Sequence, residues 1–215
     1  MSAGVEVLDR ETRALVLVAA AVARGRPEEL EARLGASRDA GVPSLWIEEL
    51  LLQSMLVVGY PLALVAFGVW RTVSGSVPAS EDGEAVEALA HADWEAWAQR
   101  GAAVCRAVYG RAFHKLLVNL RALHPALEDL VLVDAYGKVI GRPGLDLKRR
   151  ELTTIAATVV LGTAQQLHSH LRGALNTGAT REEVEGVLRA IEGDLDSELR
   201  KTAWEQWEDV KRRKL

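Results

Sequence analysis

RALVLVAAAVARGRPEELEARLGASRDAG (residues 13–41) and RELTTIAATVVLGTAQQLHSHLRGALNTG (residues 150–178) are two versions of one stretch of chain. The register runs on from 13–73 to 150–210 at a constant offset of 137 without a gap, and 15 of the 61 pairs are identical, among them Gly25/Gly162, Gly41/Gly178 and Trp70/Trp207. The shared positions are mainly small, apolar or glycine, which is what a helical packing unit with fixed turns retains. The differing positions point to chemistry. Glu151 and His170 of the second copy stand where the first has Ala14 and Arg33. A site is therefore expected at Glu151 and His170, facing a cavity, with no comparable cavity at Ala14 and Arg33.

Working outward, almost every segment reads as helix. Ala, Leu, Glu and Arg dominate, and apolar residues recur at three- and four-residue steps. Asp9 and Thr12 offer N-cap chemistry for a helix to about Arg24, broken by Gly25-Arg26-Pro27. A second helix runs from Pro27 to about Ala40 and closes at Gly41; Pro43 opens a third, bent near Pro61. Ser74 to Gly83 reads as a linker, followed by helices at roughly 85–99, 101–119 and 124–135. Tyr136-Gly137-Lys138 and Arg142-Pro143-Gly144 read as an ordered loop leading to Asp146, the cap of the next helix. That helix ends at Leu161 and the following one at Asn176, Thr180 to Glu183 forms a capping box, and an amphipathic tail runs from Asp194. The division is a degenerate first repeat over 1–80 and a fuller second unit over 81–215, packed as one body.

Composition removes several classes. With 49% hydrophobic residues the chain can fill an ordinary core, and a net charge of −4 leaves no basic surplus for a phosphate backbone, so no nucleic-acid partner is expected. Cys105 is alone, so no intrachain disulfide is required. Met1 to Glu6 lacks the basic, then apolar, pattern of a leader. The apolar run Leu50–Trp70 is interrupted by Gln53, Ser54 and Gly59-Tyr60-Pro61; it reads as a buried or interface helix rather than a membrane span. The expectation is a cytoplasmic, soluble homo-oligomer without membrane contact.

Arg149 to Ala157, then Gln166 to Val184, closely resemble the repeat of the carboxymuconolactone decarboxylase and alkylhydroperoxidase-D family. Tyr109-Gly110, Asn119-Leu-Arg, Tyr136-Gly137 and Arg142-Pro-Gly-Leu145 are similar to the segment that precedes this repeat in longer members. The resemblance implies an all-α antiparallel helical bundle assembled as trimers or hexamers, with Gly59-Tyr60-Pro61 on the helix that backs the pocket. The peroxidase branch carries a Glu, a Cys-x-x-Cys pair and a His; here the Glu falls on Glu151 and the His on His170, but the cysteine positions are Thr163 and Gln166. Without a thiolate and a resolving thiol, peroxide reduction by that route is not expected. The decarboxylase branch implies a cofactor-free lyase acting on a small carboxylated lactone or related acid by proton transfer. In it Glu151 and His170 would exchange protons, Arg150 or Arg172 would hold a carboxylate, and Thr163 and Gln166 would contact substrate; Gln166 replaces an acidic residue usual in that branch. No metal site is expected.

Glu151 and His170 lie on consecutive antiparallel helices, eleven residues before and eight after Gly162, hence nearly level. They read either as a proton-transfer pair or as a structural hydrogen bond within a non-catalytic oligomeric scaffold. His168 points away from His170 because a two-residue step turns a helix by about 200°. His114 and His124 flank a segment near the pocket, Cys105 reads as a small buried hydrophobe, and Tyr109 and Tyr136 as core or lid residues tethered to backbone.

Overall fold

The computed structural model describes residues 7–75 and 94–213. The linker beyond Gly75, the start of the helix expected at 85–99, the N-terminal hexapeptide and Lys214 lie outside the described residues. The described chain is all-α: α1 (Arg10–Arg24), α2 (Pro27–Asp39), α3 (Ser44–Ser74), α4 (Trp94–Tyr109), α5 (Phe113–Leu123), a turn of helix α6 (Leu127–Asp129) running into a π-helix (Leu130–Ile140), α7 (Leu147–Val160), α8 (Ala164–Asn176), α9 (Arg181–Ile191) and α10 (Ser197–Arg212).

The offset of 137 recurs in three dimensions. It carries the bounds of α2 onto those of α8 and the N-cap Asp9 onto the N-cap Asp146; each carboxylate accepts from the amide three residues on. Gly25 and Gly162 end the first helices with φ of 66° and 67°, a left-handed cap that needs the missing Cβ. Trp70 and Trp207 are buried anchors, and each indole donates to the equivalent acid, Glu48 or Glu185. α3 corresponds to α9 and α10 together. Gly59, with φ 78° and ψ 168°, breaks α3 at the position of Asp196, the N-cap of α10, so the bend precedes Pro61, which occupies the first turn of the second half.

The two copies meet along α1 and α7. Arg149 Nε donates to Thr12 Oγ1 at 2.9 Å, a contact between equivalent positions, as a two-fold relation requires at its axis. The same guanidinium reaches Asp9 at 3.1 Å and Asp146 at 2.6 Å and lies over the Trp46 ring, tying both caps together. One apolar core is drawn from both copies, from Leu15, Leu34 and Leu50 on one side to Leu152, Leu171 and Leu188 on the other.

The segment between the copies differs from its sequence reading. α4 runs through Arg100-Gly101 without the expected break and ends at Gly110, while Gly137 lies inside the π-helix and not in a loop. Both glycines serve close approach: a Cβ at Gly101 would strike the Leu132 carbonyl, and one at Gly137 the Trp97 carbonyl. α4 and the π-helix thus cross almost backbone to backbone, around a second cluster of Cys105, Val108, Phe113, Tyr136 and Ile140. α4 lies across α8, and among the described residues no helix lies across α2 in the same way.

Candidate active site

α7 delivers Glu151 because its whole span from Arg150 to Val159 is buried, the carboxylate pointing at α8. α8 brings His170 alongside, Nδ1 lying 2.9 Å from Glu151 Oε2. Gly173, one turn further on, keeps the space open: a Cβ there would collide with the Glu151 carboxylate and come within 2.9 Å of Val108. The Glu151 side chain is 3% exposed and the imidazole 19%, so the pair lies at the inner wall of a pocket. Assigning the tautomer in which Nδ1 donates to the Glu151 carboxylate leaves Nε2 as the ring nitrogen for a ligand.

The pocket is a cavity of about 220 Å³. Its walls come from three sources: Gln53, Leu56 and Val57 of α3, Tyr109 of α4, and Val131, Ala135, Tyr136 and Ile140 of the π-helix, whose four- and five-residue steps present one face. The first copy therefore supplies a wall of the second copy's pocket, immediately before the Gly59 break. Gln53 is fixed there by donating to the Arg150 carbonyl and the Thr154 hydroxyl, both at 2.9 Å.

Tyr109 and Tyr136 meet edge to face at 6.2 Å and their hydroxyls hydrogen-bond each other rather than backbone. Burial pushes the Tyr109 phenol up to about 12 and the Tyr136 phenol well above its ordinary value. Both are donors at working pH, a role that their place on the π-helix and α4 reveals and their sequence context did not. Cys105 is fully buried beside them; burial first, then the Glu151 charge, pushes its thiol up to about 12.

The remaining residues singled out from the sequence do not line this cavity. Arg150 is completely buried and turned the other way: Nη2 donates to Glu49 at 2.8 Å, Nε to the Leu145 carbonyl at 3.0 Å, and Glu49 also receives Arg142 at 3.0 Å. Its fork is occupied, so no face is left for a substrate carboxylate. Arg172 lines a separate cleft with Arg111 and Lys115 behind α8. Thr163 donates its hydroxyl to the Thr158 carbonyl, and Gln166 is exposed. His168 pairs with Asp209 at 3.2 Å on the far side of α8; His114 is exposed against Phe113, and His124 accepts from the Ala126 amide. Ala14 and Arg33, expected to face packed side chains or solvent with no comparable cavity, border an open cleft of about 390 Å³. The reason is the missing roof, since no counterpart of α4 covers that face among the described residues.

The profile of the carboxymuconolactone decarboxylase family matches residues 2–72 and 130–209, the two copies, with α4 and α5 between the matched segments. Peroxisomal protein 2 of Schizosaccharomyces pombe is 30% identical over 173 residues, 79% of each chain. The 4-carboxymuconolactone decarboxylase of Acinetobacter baylyi is 33% identical over 75 residues, 35% of this chain and 56% of its own. Nitrosuccinic acid decarboxylase npaB of Metarhizium robertsii is 41% identical over 64 residues, 29% of this chain and 45% of its own.

Proposed function

This chain belongs to the carboxymuconolactone decarboxylase family, and from that premise we propose that it is a cofactor-independent lyase that removes a carboxyl group from a small organic acid. The observation that carries the reading is the Glu151–His170 contact at 2.9 Å on the wall of a largely apolar cavity. A space of about 220 Å³ suits a small acid. Leu56, Val57, Val131 and Ile140 strip water from its carboxylate, which raises the anion in energy relative to neutral carbon dioxide. As the C–C bond breaks, its electron pair passes into an acceptor on the substrate, a lactone carbonyl or a nitro group, and carbon dioxide leaves. The Tyr109 hydroxyl donates to the oxygen on which charge develops. The imidazole of His170, held by Glu151 through Nδ1, delivers the proton from Nε2 to carbon and is reprotonated from solvent.

Thiol peroxidation finds no support, because Thr163 and Gln166 replace the thiols and Cys105 is buried with a raised pKa. Two relatives bear a peroxisomal name, so a peroxisomal compartment stands beside the cytoplasmic expectation; imaging of a fluorescent fusion separates them. The function is tested by carbon dioxide release from 4-carboxymuconolactone and nitrosuccinate, the acids named by the decarboxylase relatives. Release above the uncatalysed rate that falls about a hundredfold or more in Glu151→Gln supports the lyase. No release from either acid, with the pair merely bracing α7 against α8, favours a non-catalytic scaffold.

A further inference from the structure

The duplication makes each residue of one copy a control for its counterpart. Arg150 is buried because Glu49 of the first copy reaches across to it. The counterpart of Arg150 is Arg13, and the two-fold relation would bring Glu49's counterpart to it; that residue is Gly186, which has no side chain to offer. Leu8 closes against Gly186 instead, 3.0 Å from where a Cβ would lie, and a hollow of about 220 Å³ separates Arg13 from both. The Arg13 guanidinium is exposed and makes no hydrogen bond or ion pair among the described residues; the same holds for that of Arg10.

Both arginines border the cleft of about 390 Å³ on the first copy, joined by Arg33 over a floor of Ala14, Leu17 and Ala36. This cleft is the counterpart of the Glu151–His170 cavity, since Ala14, Leu17 and Arg33 occupy the positions of Glu151, Thr154 and His170. Asp194 is the carboxylate that reaches this group, bonding Arg33 at 3.3 Å. The Arg10 and Arg13 guanidinium groups, which no carboxylate reaches among the described residues, repel one another unless an anion joins them, and a planar fork matches a carboxylate with two parallel donors. The apolar floor accommodates a carbon skeleton, which inorganic phosphate lacks.

We propose that this cleft is a second ligand site, taking a small dicarboxylate in the place where the other copy carries its own Glu151 carboxylate. The site is independent of the proton-transfer pair, because it lies on α1 and α2 and uses neither Glu151 nor His170.

Calorimetric titration of the full-length protein with succinate at low ionic strength tests this, with inorganic phosphate as the competing probe. The expected result is saturable succinate binding, weakened roughly tenfold or more in Arg13→Gln through loss of a charge-assisted fork. Ala14→Glu restores the second copy's carboxylate beside Arg33 and is expected to abolish binding, while Arg111→Gln, in the separate cleft behind α8, leaves it unchanged. Absence of succinate binding at millimolar concentration overturns the proposal. So does binding that survives both Arg13→Gln and Ala14→Glu, binding lost in Arg111→Gln, or phosphate binding as tight as succinate. Failure of the lyase reading shows in carbon dioxide release alone and leaves these outcomes untouched.

Discussion

Glu151 keeps its place against α8 only because residue 173 has no side chain: a methyl at Gly173 would displace the carboxylate that meets His170. Alanine is the better helix former by about 1 kcal/mol, so Gly173→Ala sets helix propensity against the site. It is expected to change unfolding free energy little in urea titration while lowering carbon dioxide release at least tenfold, a split that a packing defect would not produce. Glu49 acts on stability instead. Its carboxylate neutralises Arg142 and Arg150, both buried, and Glu49→Ala leaves two guanidinium groups without it; the expected loss is about 3–5 kcal/mol by urea denaturation. Cys105, fully buried and with its thiol pushed up to about 12, is expected to resist an aromatic disulfide reagent at pH 8 in the native protein and to react at once in denaturant. Glu151 and His170 were legible in sequence because the duplication exposes what differs at a fixed offset. The fate of Arg150 was not, since Glu49, which turns it away from the cavity, is 101 residues distant.

Helix termini were the most readable elements, because a cap is a local bargain between a side chain and an amide three residues on. Asp9, Asp146 and Thr180 all cap where the sequence places them. Glycines within helices were not readable that way: Gly101 and Gly137 look like turn formers, yet each marks a crossing whose partner backbone is unknown until the chain folds. Gly101→Ala is accordingly expected to destabilise by about 1–3 kcal/mol through forced separation of α4 from the π-helix, read as a lower urea midpoint, against the gain that helix propensity alone would give. The caps carry a pH dependence. Burial tends to raise the Asp9 and Asp146 carboxyls, but hydrogen bonds from the Thr12 and Arg149 amides and the charge of Arg149 outweigh it and hold both below the ordinary aspartate range. A group lowered in the folded state stabilises above its unfolded pKa and loses that contribution as pH falls through its folded pKa. Urea midpoints are thus expected to drop below about pH 4, and Asp9→Asn/Asp146→Asn to flatten that drop.

At the scale of the whole molecule, two copies related by a pseudo-two-fold have diverged through their cover: α4 and the π-helix enclose one pocket, and the other stays open. The wall of the enclosed pocket ends at an uncovered apolar edge, where Leu56, Tyr60, Leu64 and Val65 of α3 are all exposed. By length and composition α3 would also pass as a membrane span, although it is broken at Gly59. We propose that further copies of the chain cover this edge, in contacts each burying more than about 1,000 Å². Light scattering of detergent-free protein is expected to give a trimer or hexamer; a monomer at micromolar concentration, or a chain that stays in solution only with detergent, contradicts it. Inside the enclosed pocket, the proposed role of Glu151 and His170 is to move a proton. Its most direct test is turnover of 4-carboxymuconolactone and nitrosuccinate in deuterium oxide, with the products read by proton NMR. One deuteron is expected on a single face of the newly protonated carbon, with turnover slowed about a hundredfold or more in His170→Gln and Glu151→Gln variants that still fold. Equal deuteration of both faces, or turnover unchanged in either variant, would contradict it.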